Sequence, residues 1–141
     1  MTCEFRVIVT GGRDFKDGAL VWDEFEALAA ACVNNDEFHP PTIVHGGARG
    51  ADRLCAEAAQ EMGFLVDPHP ADWDHCAPDC KPGHRRRAAW GEYCPTAGIR
   101  RNQEMVDAGA DLLMVFPGGD GTEDCVRRAR RAGIEVYRAG G

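Results

Sequence analysis

Apolar residues are distributed along this chain in two alternating rhythms. Short β-branched runs that stop at glycine pairs give way to longer stretches in which apolar positions recur every three or four residues. Residues 5 to 10, Phe-Arg-Val-Ile-Val-Thr, form the first run; closed by Gly11-Gly12, it reads as a buried strand ending at a turn. Beyond it Trp22, Phe25, Leu28, Ala29 and Cys32 share one helical stripe while Asp23, Glu24 and Glu26 lie off it, so that stripe is expected to cover a sheet. After Pro40-Pro41 a second strand, Thr42 to His45, stops at Gly46-Gly47. An alanine-rich helix from Ala51 to Met62 follows, with Gly63 placed to end it, and then a strand at Phe64 to Asp67. The rhythm lapses from Pro70 to Ala97. It returns with a helix near Arg100 to Ala108, a strand at Asp111 to Phe116, a helix at Thr122 to Ala132 and a last strand at Ile134 to Tyr137.

Strands that alternate with helices in this way require right-handed crossovers and a mainly parallel sheet covered on both faces. The reading is therefore an α/β fold: a single Rossmann-like three-layer domain over residues 1–141, five-stranded, with residues 70–97 as an insertion. A chain of 141 residues suits one core better than two. No run approaches the roughly 20 apolar residues of a membrane span. The first residues show no basic stretch leading into an apolar one, which points away from secretion and to the cytoplasm. The net charge of -7 opposes nonspecific binding of nucleic acid, although Arg85 to Arg87, Arg100-Arg101 and Arg127 to Arg131 hold local positive charge.

In open α/β sheets ligands sit beyond the carboxyl ends of the strands, and three glycine-rich segments fall there. They are Thr10-Gly11-Gly12-Arg13-Asp14, His45-Gly46-Gly47-Ala48-Arg49-Gly50-Ala51-Asp52 and Pro117-Gly118-Gly119-Asp120-Gly121-Thr122. Without a Cβ, neighbouring glycines let backbone N–H groups approach an anion, and the following helix directs its positive end to the same point. One such pair alone is equally explained by a tight strand-to-helix turn; three on one sheet edge favour phosphate. Thr122 can cap its helix or bond a phosphate, and Arg13 and Arg49 can clamp one or remain solvated.

The segments TGGRDF, HGGARGAD, RRNQEM and PGGDGT, spread from Val7 to Val136, resemble the YspA-like branch of the SLOG superfamily. That superfamily includes the cytokinin-activating LOG enzymes, related to lysine-decarboxylase-like proteins, and DNA-processing relatives. The resemblance implies a Rossmann-like fold, a nucleotide or ADP-ribose-like ligand and a homodimer. LOG enzymes split the N-glycosidic bond of nucleoside monophosphates with an arginine and a glutamate. Arg101, followed by Asn102, matches the arginine, but Cys125 stands where the glutamate belongs, and a thiol does not replace a carboxylate beside an oxocarbenium-like centre. Binding of a nucleotide-derived ligand by a sensor or processing protein is thus the leading expectation. A LOG-like phosphoribohydrolase using Arg101, with Glu123, Asp120 or Asp14 as its carboxylate, is the alternative; Glu123 and Asp124 are equally explained as first-turn acids on a helix. A DNA-processing accessory is the third reading, opposed by the acidic net charge and by the lack of evident aromatic platforms near the basic residues.

The insertion carries its own chemistry. Seven cysteines without a secretory leader argue against a disulfide framework. Cys76, Cys80, His84 and Cys94 supply the four thiolate and imidazole ligands of a structural zinc, with His75 in reserve. Four protein ligands leave no open position for a catalytic water, so the expected role is to staple a segment too rich in proline to build a core. Cys3, Cys32, Cys55 and Cys125 are read as buried small side chains.

Overall fold

The computed structural model describes residues 4–140; Cys3 lies outside them. In chain order its elements are β1 (Arg6–Thr10), α1 (Gly18–Ala31), β2 (Val33–Asn34), β3 (Glu37–Phe38), β4 (Thr42–His45), α2 (Ala51–Glu61), β5 (Leu65–Pro68), β6 (Arg86–Ala88), β7 (Gly91–Tyr93), α3 (Ala97–Asp107), β8 (Leu112–Val115), α4 (Asp120–Arg131) and β9 (Glu135–Arg138). Five strands form one parallel sheet in the order β5-β4-β1-β8-β9. The expected α/β architecture is therefore present.

Strand alternation explains the layering. Val7 and Val9 of β1, with Ile43 of β4 and Met114 of β8, pack against Phe25 and Leu28 of α1 and Cys55 and Ala59 of α2. Ile8, Val44, Leu113 and Val115 point to the opposite face, against Met105 and Val106 of α3 and Cys125, Val126 and Ala129 of α4. Both faces are apolar because both are covered. Asp17 caps α1 by accepting the Leu20 N–H at 3.1 Å. Gly63 and Gly133 follow the ends of α2 and α4 with φ of 76° and 78°, the left-handed turn that releases a helix into a strand.

Three local readings change. On α1 the buried residue is Val21, and Trp22 is 37% exposed, its indole donating to Glu26 at 2.7 Å. The stripe is thus Val21, Phe25 and Leu28, displaced one position from the expected one, because an indole N–H is better satisfied at the surface. Residues 33–38 form a two-stranded hairpin turning at Asn35 and Asp36, whose positive φ values of 54° and 63° are tolerated by Asx side chains. The insertion also contains a hairpin, with β6 paired antiparallel to β7. Cys55 and Cys125 are buried as expected, and Cys32 is half-buried against the core.

From β1 the chain builds outward through β4 to β5, then returns across the sheet to β8 beside β1. The strand order reverses between β1 and β8. The insertion and α3 lie in that returning connection, which brings them to the reversal point.

Candidate functional site

The three glycine segments converge at the carboxyl ends of β1, β4 and β8. Much of their glycine content is explained by close packing of backbone on backbone. Gly12 N–H donates to the Pro117 carbonyl at 2.8 Å, and its own carbonyl accepts from Ala51 N–H at 3.1 Å. A Cβ on Gly50, which has φ of 79°, would collide with the Gly12 and Arg13 backbone; one on Gly11 would collide with Ala51. Gly118 is closed off by Thr122 and the Gly11-Gly12 backbone. Gly119 and Gly121 differ, since a Cβ at either would meet nothing within 4 Å. They open onto a cleft of about 560 Å³ that also receives Thr10, Gly12, Arg101, Asn102 and Thr122.

The start of α4 borders this cleft. No side chain caps it, so Thr122 is not the cap that its hydroxyl suggested; it is buried within the first turn. Asn102, buried on α3, fixes the position of that turn by donating to the Gly121 carbonyl at 3.2 Å and to Asp124 Oδ2 at 3.0 Å. The same carboxylate oxygen accepts from Arg128 Nε at 2.9 Å. Asn102 therefore holds an exposed helix start in place, a role its sequence motif did not reveal.

Arg101 reaches the cleft from the same helix. Its Nη1 donates to the Gly46 carbonyl and its Nε to Asn102 Oδ1 at 3.1 Å. A Cβ on Gly46 would occupy the place of the Arg101 guanidinium and displace it from the Gly46 carbonyl. Burial pulls the Arg101 pKa below the usual arginine value, and the nearby Asp52 carboxylate opposes that pull. Asp52 is itself buried, which raises its pKa against the lowering effect of the Ala48 and Gly46 N–H groups that it accepts at 3.3 and 3.1 Å. Its work is to hold the Gly46–Ala48 turn. His45 accepts the Gly47 N–H at 2.9 Å on Nδ1, and burial lowers its pKa.

The remaining candidates divide. Arg13 lines the cleft with its Cζ 5.2 Å from the Trp73 ring centre, and Arg127 stands at its α4 side. Arg49 and Gly47 line an adjoining cavity of about 790 Å³ that shares Arg13, Ala48, Trp73, Pro95 and Arg101 with the first. Asp14 is exposed, 3.6 Å from Arg49, and lines neither cavity. Glu123 corrects the hydrolase reading: its carboxylate forms a two-pronged pair with Arg138 of β9 at 2.9 and 3.1 Å and lines neither cavity. It points away because it sits on the flank of α4 that packs beside β9. Cys125, in the family's glutamate position, is buried close to Arg101, and burial pushes its thiol up to about 11. It is a neutral thiol at neutral pH. Asp120 is exposed at the mouth.

Sequence reading found no aromatic platform near the basic residues, and here it is corrected. Trp73, Trp90 and Tyr93 line the second cavity together with Arg13, Arg49 and Arg101. The signal was available in the aromatic residues set among the arginines and prolines of residues 70–97.

At the outer end of the insertion, the ligand atoms of Cys76, Cys80, His84 and Cys94 lie within 4.8 Å of one another. His84 Nε2 is 3.0 Å from Cys76 Sγ and 3.4 Å from Cys94 Sγ, and Cys80 Sγ is 3.9 Å from Cys94 Sγ. A tetrahedron with zinc-like bond lengths has edges of about 3.5–3.8 Å. The cluster thus has the size and donor set to hold a metal ion. His75 is not part of it and pairs with Asp72 at 2.9 Å.

Fold and cleft together define a Rossmann-like protein whose glycine loops meet at the strand-order reversal. The chain belongs to the YspA, cpYpsA-related SLOG family, whose sequence profile matches residues 5–75. It is 40% identical to the Gene 61 protein of Mycobacterium phage D29, over 96% of both chains. Its fold is similar to that of DNA processing protein A (DprA) from Streptococcus pneumoniae, with a TM-score of 0.66 at 18% identity. That likeness covers 96% of this chain and half of the DprA chain. Among the described residues no helix is long and apolar enough to cross a membrane.

Proposed function

We propose that this protein binds a nucleotide or nucleotide-derived ligand, a nucleoside phosphate or an ADP-ribose-like molecule, with its phosphate at the uncapped start of α4. The observation that carries this reading is the open face of Gly119–Thr122 opposite the half-buried Arg101. Backbone N–H groups and the positive helix end favour an anion there, and Arg101 adds a full charge in a site partly withdrawn from water. Arg13 and Arg127 add positive charge at the rim.

Binding without LOG-type hydrolysis is the reading we favour. Asp52 is hydrogen-bonded to its own turn, Asp124 to Asn102 and Arg128, and Glu123 to Arg138, which leaves Asp120, exposed at the mouth of the cleft, as the candidate carboxylate a hydrolase would have to use. The Cys76, Cys80, His84 and Cys94 set is proposed to hold a structural zinc, whose four protein ligands would exclude substrate from the metal.

Calorimetric titration with AMP, ADP and ADP-ribose, paired with metal analysis, tests both proposals. The expected result is saturable binding by at least one nucleotide, lost in Arg101→Ala, and one zinc per chain, lost in Cys80→Ser. No binding by any nucleotide overturns the first proposal; zinc absent from the purified protein overturns the second. Free adenine released from AMP would restore the hydrolase.

A further inference from the structure

The second cavity is walled on one side by the insertion, and adds Trp90 and Tyr93 to the Trp73 that it shares with the first. Tyr93 is central to this wall: its ring centre lies 5.3 Å from that of Trp90 and 6.0 Å edge-on from that of Trp73. Arg13 lies over the other end, against Trp73. Trp90, in the β6–β7 turn itself, is 65% exposed, the most open of the large apolar side chains among the described residues. Beyond its contact with Tyr93, this indole stands in water beside a cationic cleft, where a flat ligand could cover it.

The wall is tied to the four-ligand cluster by backbone. Cys94 follows Tyr93 directly; its N–H donates to the Trp73 carbonyl at 2.7 Å, and its carbonyl accepts the N–H of Ala97, the first residue of α3, at 3.2 Å. Arg100, one turn into that helix, donates to Cys94 Sγ at 3.2 Å. One cluster residue thus fixes the aromatic wall on one side and, on the other, the helix that carries Arg101.

We infer that Trp73, Tyr93 and Trp90 form a base-stacking subsite next to the phosphate end of the cleft, and that the Cys76–Cys80–His84–Cys94 cluster sets its shape. This inference rests on the nucleotide reading above and specifies the ligand further: it carries an intact nucleobase, lying toward the insertion while its phosphate meets α4. Every base presents a flat π face, so stacking supplies affinity without reading sequence. The base and phosphate can belong to a free nucleotide or to one end of a single strand, which share this chemistry.

The test compares AMP with ribose 5-phosphate, which keeps the phosphate and sugar and lacks the base. Stacking predicts that AMP binds the unaltered protein about tenfold more tightly. Trp90→Ala, a substitution at an exposed position, is expected to remove most of that difference while leaving ribose 5-phosphate affinity unchanged. Protein stripped of metal is expected to lose the difference as well. Equal binding of the two ligands, or an AMP preference that survives Trp90→Ala, overturns the base subsite and leaves the phosphate site standing. Failure of both ligands to bind overturns the two together. A short single-stranded oligodeoxynucleotide then identifies the source: tighter binding than AMP assigns a strand end, weaker binding a free nucleotide, and either retains the stacked base.

Discussion

The parallel sheet and the insertion are stabilised by different means. Val7, Ile8, Ile43, Val44 and Leu113 are fully buried, each strand contributing alternate residues to two apolar layers. Between Pro70 and Ala97 only Cys94 and Ala97 are buried. A segment of that length without a core must be ordered by a few strong interactions, and the cysteine and histidine side chains are the ones available. The sheet is fixed by many interchangeable contacts; the insertion, if the proposed zinc is held, by four that are not.

This contrast yields four predictions on one scale, the urea midpoint of the sheet. Phe25→Ala empties a fully buried site shared by α1 and the sheet, and is expected to cost about 3–5 kcal/mol of global stability. A cost under about 1 kcal/mol would show that the α1 layer is not part of the main core. Asn102→Ala leaves the buried Asp124 carboxylate and the Gly121 carbonyl short of a donor, for an expected loss of about 1–3 kcal/mol, together with weaker nucleotide binding. Stability lost with binding intact would detach Asn102 from the site.

Asp67→Asn tests the surface of the sheet. Asp67 accepts from Arg6 at 2.8 Å and pairs with His69 at 3.1 Å, and the Arg6 hydrogen bond in particular holds its pKa below the usual carboxylate value. A depressed folded-state pKa stabilises the protein above the unfolded value near about 4, and that stability is lost as pH falls. The pair is partly exposed, so about 1 kcal/mol or less is expected at pH 7, shrinking toward zero as pH falls through the depressed folded-state pKa. Denaturation curves at pH 7 and below that pKa check the sign; a difference that grows on acidification would refute it. Cys80→Ser should have the smallest effect on this scale, moving the sheet midpoint by less than about 0.5 kcal/mol. Trypsin should nevertheless cleave at Arg85 to Arg87 far faster than in the unaltered chain. Cooperative loss of the sheet with the cluster would end the distinction between the two regions.

What could be read in the sequence follows the same division. All five sheet strands and all four helices were legible, because burial on a regular lattice leaves a periodic trace. The Val21-for-Trp22 shift was not, since neighbouring apolar residues on a helix compete for one face and only packing decides between them. The cleft was legible as glycine and arginine, yet Asp124 and the anchoring role of Asn102 were hidden: hydrogen bonds between side chains on different elements leave no spacing rule. Glu123 was misplaced because its position on α4 says nothing of Arg138, which approaches from the next strand. The β6–β7 hairpin and its aromatic wall escaped because their residues, set among prolines, arginines and the Cys/His cluster, show composition without periodicity.

The position of β1 at the centre of the sheet also sets an order in time. Its residues are synthesised before those of the other four strands of the sheet, and one edge is paired as soon as Arg6 can meet Thr42. The other edge must wait for Leu112 to reach Val7. Until then a run of Val-Ile-Val presents unpaired backbone and an uncovered apolar face, the conditions under which strands join neighbouring chains. A chain that ended anywhere before β8 would therefore carry its own innermost strand as a sticky edge.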